Sequence, residues 1–129
     1  MKIFILEDDP ERIRWLRETL IDHETTFIIS CIGVDNFQPP YDLILLDHDL
    51  GGRQLKEHED CGLTFVNLVK DRINPEAVII IHSFNPDGAQ RMQQALFDAG
   101  IKNVDRCPFR GRAFEVAVSG ATSRTRTMR

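Results

Sequence analysis

The chain has 129 residues, of which 42% are hydrophobic and 28% are charged, and its formal net charge is −4. This length fits one domain with a hydrophobic core and is too short for two. The acidic balance argues against general DNA binding and against an anionic-membrane surface, and no apolar run is long enough to span a membrane. Three cysteines without CxxC spacing favour a reducing compartment, so we expect a cytoplasmic protein.

Alternating apolar runs and helical repeats predict a parallel α/β sheet. Segments with apolar residues at helical spacing separate the strand runs, but a Pro-Pro pair at 39–40 leaves room for only a helical turn after the second strand. Asp9 with Pro10, and Asn85 with Pro86, are typical helix starts in which the polar residue is the N-cap. Strands are predicted at residues 2–6, 26–32, 43–46, 77–81 and about 103–106, and a last helix at 112–119.

These elements predict a flavodoxin-like, three-layer α/β sandwich. Its five-stranded parallel sheet has the order 2-1-3-4-5, and its second helix is shortened or absent. We expect a single domain over residues 1–119 and a disordered basic tail over residues 120–129. The polar stretch 51–60 is long for a loop of this fold, and such loops are often functional lids.

Acidic side chains follow two strands that this order makes neighbours. Glu7 and Asp8 follow the first strand, and Asp47 and Asp49 follow the third. Crowded carboxylates must share a proton or bind a cation. Oxygen ligands select a hard ion, so we expect these four residues to hold Mg²⁺ or Mn²⁺, with phosphate oxygens completing its coordination. The alternative is that strand-end acids only cap helices or are solvated in loops.

Histidines and polar residues lie at the same edge of the predicted sheet. His48 lies between two of the acids, and His82 and Ser83 follow the fourth strand. If both imidazoles face the crevice, a neutral one can accept a proton from water while a charged one donates to a leaving oxygen. Ser83 and the helix start at Asn85 are candidates for contacts with phosphate oxygens. Each residue also has a structural alternative, such as a hydrogen bond within its own loop.

The sequences ILEDDP (5–10), DLILLD (42–47) and CPF (107–109) resemble the response-regulator receiver domain, over about the first 110 residues. By this resemblance Glu7 and Asp8 match the metal-binding acidic pair, Asp47 the phosphoryl-accepting aspartate and Ser83 the switch residue. Cys107 stands where receivers keep an invariant lysine that contacts the phosphoryl group. The bond from this cysteine to the next proline matches the receiver's Lys-Pro bond, which is commonly cis, and we expect a cis bond here.

A closer resemblance is to the cyclic-phosphate processing receiver-like domains. The sequences LDHDLG (46–51), CGL (61–63) and IHSFNPDG (81–88) resemble the family's LDHDLG, TG and HSxNPxG signatures, with Cys61 in place of the usual threonine. This resemblance implies phosphoesterase chemistry at the same edge of the sheet. The residues we assign are the catalytic His48, His82, Asp47 and Asp49 and the phosphate-binding Ser83, Asn85 and Gly88.

We therefore expect a divalent-metal-dependent phosphoesterase that hydrolyses a cyclic or diester phosphate. Its expected partner is a phosphate-containing small molecule or an RNA end, and water is the expected nucleophile because a cation lowers its pKa. Two alternatives stay open. One is a stand-alone receiver that is phosphorylated on Asp47 and signals to a protein partner, although the missing lysine argues against it. The other is a module that binds a phosphate ligand without turnover.

Overall fold

The computed structural model describes residues 1–55, 58–109 and 111–128. In chain order the strands are β1 (Lys2–Leu6), β2 (Glu24–Ile28), β3 (Leu43–Leu46), β4 (Asp49–Leu55), β5 (His58–Cys61), β6 (Val78–Ile81) and β7 (Val104–Arg106). The α-helices are α1 (Pro10–Thr19), α2 (Gly62–Val69), α3 (Pro86–Asp98) and α4 (Gly111–Met128). Short 3₁₀ helices span Cys31–Asn36 and Lys70–Arg72.

Five strands form one parallel sheet in the order β2-β1-β3-β6-β7, which confirms the predicted flavodoxin-like fold. The 3₁₀ helix Cys31–Asn36 stands where the second helix is predicted to be shortened or absent. Leu6 pairs with Leu46, and Leu46 pairs with Ile81, so β1, β3 and β6 end at the same level. Residues 7, 47 and 82 therefore lie side by side at the carboxyl edge of the sheet.

Each face of the sheet has its own buried core, because helices cover both faces. On one face the ring of Phe4 packs against Phe37, Tyr41 and Phe65, with ring centroids 4.8 to 5.4 Å apart. The opposite face packs against buried residues of α1 and α4. Full burial of a side chain such as Phe4 contributes about 1.5 to 3 kcal/mol. The two cores hold the strand ends in fixed positions.

Both predicted helix starts are confirmed. Asp9 Oδ1 accepts two backbone N–H groups of the first turn of α1, at 2.9 and 3.0 Å, and Pro10 is the first residue of this helix. Asn85 Oδ1 accepts the N–H of Gly88 at 3.0 Å and caps α3. Each cap satisfies backbone donors that the helix itself leaves unpaired. The first turns of α1 and α3 are thereby fixed at the carboxyl edge of the sheet.

Two predicted boundaries differ from the structure. The second strand, predicted at residues 26–32, is β2 at Glu24–Ile28, because Ser30 Oγ accepts the N–H of Ile32 at 3.1 Å and starts the 3₁₀ helix. The stretch 51–60, predicted as a loop, lies largely in the antiparallel pair of β4 and β5. Residues 56 and 57 lie outside the described residues, and the role of this segment as a lid stays a prediction.

The last helix also ends at a different residue from the predicted one. The sequence predicts a last helix that stops at residue 119, but α4 runs to Met128. Val118 and Ala121, one helical turn apart, are both buried in the core that α1 and α4 share, so the core reaches into the predicted tail.

The predicted cis bond between Cys107 and the next proline is wrong, and a cis bond lies instead at positions 39–40. Within the described residues, no helix combines the length and apolarity needed to cross a membrane.

Candidate functional site

Three ionisable side chains meet at the carboxyl ends of the central strands. Glu7, Asp47 and His82 immediately follow β1, β3 and β6, and the level ends of these strands bring their ligand atoms within 4.8 Å of one another. Glu7 and His82 are fully buried, and Asp47 is 4% exposed. Buried charges are costly unless they are paired, so these groups must share protons or bind a cation.

Glu7 and His82 form a buried hydrogen-bonded pair. His82 Nε2 lies 3.0 Å from Glu7 Oε1, and Glu7 Oε2 accepts the backbone N–H groups of Asp8 and Asp9. Burial raises the pKa of Glu7, but the hydrogen bond from His82, the hydrogen bond from the Asp9 N–H and the charge of Arg12 together hold it below its usual value. Burial lowers the pKa of His82. We assign a neutral His82 that donates Nε2–H, because its Nδ1 has no partner among the described residues.

Asp47 carries the strongest perturbation among the crevice acids. Burial, and then the charge of Glu7, raise the pKa of Asp47 to about 7, although its Oδ1 accepts the backbone N–H of His48 at 2.8 Å. Burial and the charge of Glu7 also raise the pKa of the half-buried Asp8. The positive charge near these two acids is therefore too small to keep their pKa values in the usual range, and a bound cation would supply more.

A second carboxylate–imidazole pair lies at the rim. His48 Nδ1 is 2.9 Å from Asp49 Oδ1, and the Asn85 amide nitrogen lies 3.3 Å from the same carboxylate oxygen. The hydrogen bond from His48 outweighs partial burial and, with that from Asn85, holds the pKa of Asp49 below its usual value. The side chain of Asp49 is 67% exposed and that of His48 only 13%. The ionised Asp49 carboxylate therefore selects the tautomer of His48 in which Nδ1 carries the proton.

Two glycines let the His48 segment lie where it does. A Cβ atom at Gly88 would lie 2.5 to 2.6 Å from three atoms of the His48 ring, so this ring packs directly on the first turn of α3. A Cβ atom at Gly62 would lie 2.1 Å from the carbonyl oxygen of Asp47. The N–H of Gly62 donates to the His48 carbonyl oxygen at 2.7 Å. These approaches give a physical reason for the glycines of the two later signatures.

A crevice of about 230 Å³ opens over these groups. Its described lining comprises Glu7, Asp8, Asp9, Arg12, Asp47, Asp49 and Phe84. Neither imidazole is among these residues. His82 lies behind Glu7, and His48 lies behind Asp49. The structure thus brings both histidines to the site through carboxylates, and their direct contact with a ligand stays a prediction.

The three predicted phosphate-binding residues have structural tasks in this arrangement. Ser83 is 4% exposed, and its Oγ accepts the N–H of Asn85 at 2.9 Å. Asn85 caps α3, and the N–H of Gly88 is bonded to that cap. These bonds correspond to the structural alternatives that the sequence left open. Phosphate contacts by Ser83, Asn85 and Gly88 stay predictions.

Two residues that line the crevice, Arg12 and Phe84, were not predicted from the sequence. Arg12 Nη1 lies 3.5 Å from Glu7 Oε1, and its guanidinium lies 5.0 Å from the ring centre of Phe84 and 5.2 Å from that of Phe109. Phe84 is 51% exposed. The available signal for Arg12 was its position three residues after the Asp9 cap, which places it on the first turn of a helix that begins at the carboxyl edge.

Cys107 does not supply the charge of the receiver lysine. Its side chain packs partly buried against the core that α1 and α4 share. Burial, and then the charge of Asp105, raise the pKa of the Cys107 thiol. A neutral thiol is a weak hydrogen-bond donor without positive charge, so it cannot bind a phosphoryl group as an ammonium does.

The donor set fits a divalent cation. The carboxylates of Glu7 and Asp47 and the imidazole of His82 can each offer one ligand atom, and the carboxylates of Asp8 and Asp49 lie in the same crevice. Oxygen donors suit Mg²⁺, whereas a set that includes an imidazole nitrogen also suits a transition metal such as Mn²⁺. The raised pKa of Asp47 fits the same requirement for positive charge.

Solved receiver domains share this fold. The response regulator TrrA from Thermotoga maritima, in complex with Mg²⁺-BeF, is 17% identical with a TM-score of 0.62, covering 93% of this chain and 97% of that chain. The BeF3-activated receiver domain of RstA from Klebsiella pneumoniae is 16% identical, with a TM-score of 0.61 and coverages of 92% and 96%. The BeF3-activated DrrB receiver domain of Thermotoga maritima is 18% identical, with a TM-score of 0.63 and coverages of 95% and 97%. Identities this low show the fold alone.

The family is shown by a direct match to the sequence. No curated protein is a significant match to the chain. The family model described as the cyclic-phosphate processing Receiver domain matches residues 3–98, and this range contains β1, β3, β6, the described acids of the crevice and the two histidines behind them. The chain therefore belongs to the cyclic-phosphate processing Receiver domain family.

Proposed function

We propose that this protein is a divalent-metal-dependent phosphoesterase that hydrolyses a cyclic or diester phosphate on a nucleotide or an RNA end. One observation carries the proposal: two carboxylates of the crevice, Glu7 and Asp49, each have an imidazole hydrogen-bonded behind them, at 3.0 and 2.9 Å. A receiver that only accepts a phosphoryl group on aspartate has no need of two such pairs. Hydrolysis uses both: the rim pair moves a proton from water to the leaving oxygen, and the buried pair keeps Glu7 ionised for the cation.

In this proposal Glu7, Asp8 and Asp47 hold the cation, which is Mg²⁺ or Mn²⁺. When bound, the ion supplies positive charge to the phosphoryl oxygens and lowers the pKa of water. His82 keeps Glu7 ionised and oriented through Nε2–H, which makes it a positioning residue. Asp49 takes the place next to the ligand, because its carboxylate is exposed in the crevice.

The proton moves through the rim pair. Ionised Asp49 takes a proton from the water that attacks phosphorus and becomes a neutral carboxylic acid, while the hydrogen bond from His48 Nδ1–H holds its orientation. Asp49 then gives this proton to the oxygen that leaves, which restores its carboxylate. The side-chain amide of Asn85 donates to the same Asp49 oxygen and helps to hold that carboxylate in place. The family name supports a cyclic phosphate as the substrate class. The free cysteines support the proposal that the protein acts in the cytoplasm.

The test is turnover of 2′,3′-cyclic nucleotides and cyclic dinucleotides with Mg²⁺, Mn²⁺ or EDTA. We expect cation-dependent hydrolysis that falls about a hundredfold or more in Asp49→Asn and His48→Ala. An unchanged rate in both variants would rule out the rim pair as the proton carrier. No hydrolysis of any cyclic phosphate by a wild-type protein that binds the cation would contradict the proposal and favour a binding-only module.

A second candidate is a receiver that is phosphorylated on Asp47 and signals to a protein partner. Its specific support is that Asp47 lines the crevice at the end of β3, in a fold whose solved relatives carry BeF3 or Mg²⁺-BeF in their names. Mass spectrometry after incubation with acetyl phosphate would detect a modified Asp47. A stable adduct together with no hydrolysis would favour this candidate over the phosphoesterase.

A further inference from the structure

We propose that Arg12 is the phosphate-binding cation of this site and does the work of the lysine that Cys107 replaces. This inference rests on the proposed function, because it assigns a ligand contact within the same crevice. It concerns binding, however, and it can be tested without turnover. Four features of Arg12 carry it: its charge, its uncommitted donors, its fixed position and its distance from Glu7.

The first feature is charge. Five of the seven described lining residues are acidic, and Arg12 is the single cationic residue among them. A phosphate is an anion, so it is repelled by this crevice unless positive charge faces it. A divalent cation supplies part of this charge, and the receiver lysine would supply the rest in an ordinary receiver. Arg12 is the described residue that can replace the lysine.

The second feature is hydrogen-bonding capacity. A guanidinium carries five N–H donors in a planar fork that matches phosphate oxygens. The side chain of Arg12 makes one ion pair, with Glu7 at 3.5 Å, and no hydrogen bond within the described part of the chain. The side chain is 26% exposed, so these donors are open to the crevice. A residue whose only task was to neutralise Glu7 would be expected at hydrogen-bond distance, about 2.7 to 3.2 Å.

The third feature is position. Arg12 lies on the first turn of α1, which the Asp9 cap fixes, and its guanidinium lies over the rings of Phe84 and Phe109. Contact with two aromatic faces restricts the side chain, and the electron-rich rings attract the cation. The donors are therefore held in place before a ligand arrives, which lowers the entropy cost of binding.

The fourth feature is the distance from Glu7. Phosphate oxygens on a cation held by Glu7 would lie about 2 Å from that cation. Because the Arg12 guanidinium is 3.5 Å from the same carboxylate, one phosphate can contact the cation with one oxygen and Arg12 with another. Arg12 and the cation then bind the phosphate from two sides, and they repel each other when the phosphate is absent.

That repulsion gives the experiment a clear signature. Mg²⁺ and then inorganic phosphate are titrated calorimetrically into the full chain, its Arg12→Gln and Arg12→Lys variants, and an Arg14→Gln control. Arg14 lies exposed on the same helix, so its variant has the same change in net charge. We expect Arg12→Gln to bind Mg²⁺ at least as tightly as the wild type but to bind phosphate, at saturating Mg²⁺, about tenfold to a hundredfold more weakly.

The variants distinguish a phosphate-binding role of Arg12 from a role as counter-ion of Glu7. Arg12→Lys keeps the charge but loses the planar fork, so we expect an intermediate phosphate affinity. Arg14→Gln should match the wild type within about twofold. Equal phosphate affinity in Arg12→Gln and Arg14→Gln would overturn the inference, as would parallel loss of Mg²⁺ and phosphate in Arg12→Gln, which would make Arg12 only a counter-ion of Glu7. If Arg12→Gln fails to fold, Arg12→Met, which keeps an unbranched apolar side chain and removes the charge, decides, and unchanged phosphate affinity in that variant overturns the inference.

Failure of the inference differs from failure of the proposed function. Hydrolysis of a cyclic phosphate with unchanged phosphate binding in Arg12→Gln would overturn the inference alone. Selective loss of phosphate binding in Arg12→Gln without any hydrolysis by the wild type would uphold the inference and reject the phosphoesterase. A wild type that binds no phosphate at saturating Mg²⁺ would overturn the inference.

Discussion

His82 Nε2 lies 3.0 Å from Oε1 of Glu7, a residue 75 positions earlier in the chain, and both side chains are fully excluded from solvent. The pair exists because β1 and β6 flank β3 in register, so the residues after their ends meet over the end of β3. A buried carboxylate needs such a donor, because water cannot replace it. The pair thus links the stability of the fold to the charge of the crevice.

Removal of the His82 donor should destabilise the protein. In His82→Phe the buried Glu7 carboxylate loses its partner, and we expect a loss of about 3 kcal/mol in the free energy of unfolding at pH 7. His82→Gln keeps a side-chain N–H and should lose less. Urea denaturation followed by circular dichroism measures both. Equal losses in the two variants would show that packing, not the hydrogen bond, sets the cost.

The stability that His82 contributes depends on pH, because the pKa values of Glu7 and His82 are both lowered in the folded state. The pKa of Glu7 is lowered in the folded state, so its contribution is present above its ordinary value near 4.5 and is lost as the pH falls. The pKa of His82 is lowered from 6.5, so the unfolded chain takes up a proton first and stability falls on acidification below about that pH. The His82→Phe variant has no imidazole to protonate. The difference in free energy of unfolding between this variant and the wild type should therefore become smaller from pH 7 to pH 4.

Asp47→Asn should stabilise the protein without metal at pH 8. Burial and Glu7 raise the pKa of Asp47 from 3.8 to about 7, so the folded state holds a proton that the unfolded chain has lost, and stability falls as the pH rises through this window. Asparagine removes the charge but keeps an oxygen for the His48 N–H. We expect a gain of about 2 kcal/mol at pH 8 and less at pH 4. The exposed Asp35→Asn serves as the control, and a similar gain there would contradict the explanation.

Cation binding should release a proton from Asp47. Ionisation of this carboxyl precedes its coordination, so Mg²⁺ affinity should rise about fivefold from pH 6 to pH 7, about tenfold from pH 6 to pH 8, and level off above pH 8. Calorimetry in buffers of different ionisation enthalpy would count close to one proton released per ion at pH 6. Binding that neither releases protons nor weakens at pH 6 would show that the cation does not contact Asp47.

Gly88→Ala should displace His48. An alanine normally stabilises a helix relative to glycine, but a Cβ here would lie 2.5 Å from the His48 ring. We expect a loss of about 1 to 3 kcal/mol in the free energy of unfolding, or a rotated ring with lower phosphoesterase activity. Gly120→Ala is the matched control, because a Cβ at Gly120 meets nothing within 4 Å. A stable variant with the wild-type His48 resonance in its NMR spectrum would contradict this packing.

The pattern of the sequence determined the fold. Continuous apolar runs such as Leu43–Leu46 indicate strands covered on both faces, and cap-plus-proline pairs such as Asp9 with Pro10 indicate helix starts. Local patterns failed where tertiary contacts decide. After β2 the backbone N–H of Cys31 donates to Asp60 Oδ1, 29 positions later in the chain, at 2.8 Å. Ala121 is buried in the core that α1 and α4 share, beyond the predicted helix end.

The sequence also placed the acids and histidines of the site at one edge of the sheet, because strand order alone makes the ends of β1, β3 and β6 neighbours. It did not determine which of them face the crevice. Tertiary structure places His82 behind Glu7 and His48 behind Asp49, and brings Arg12 into the crevice from the first turn of α1. Side-chain direction and burial depend on packing between distant elements, so they were set only when the sheet, helices and loops came together.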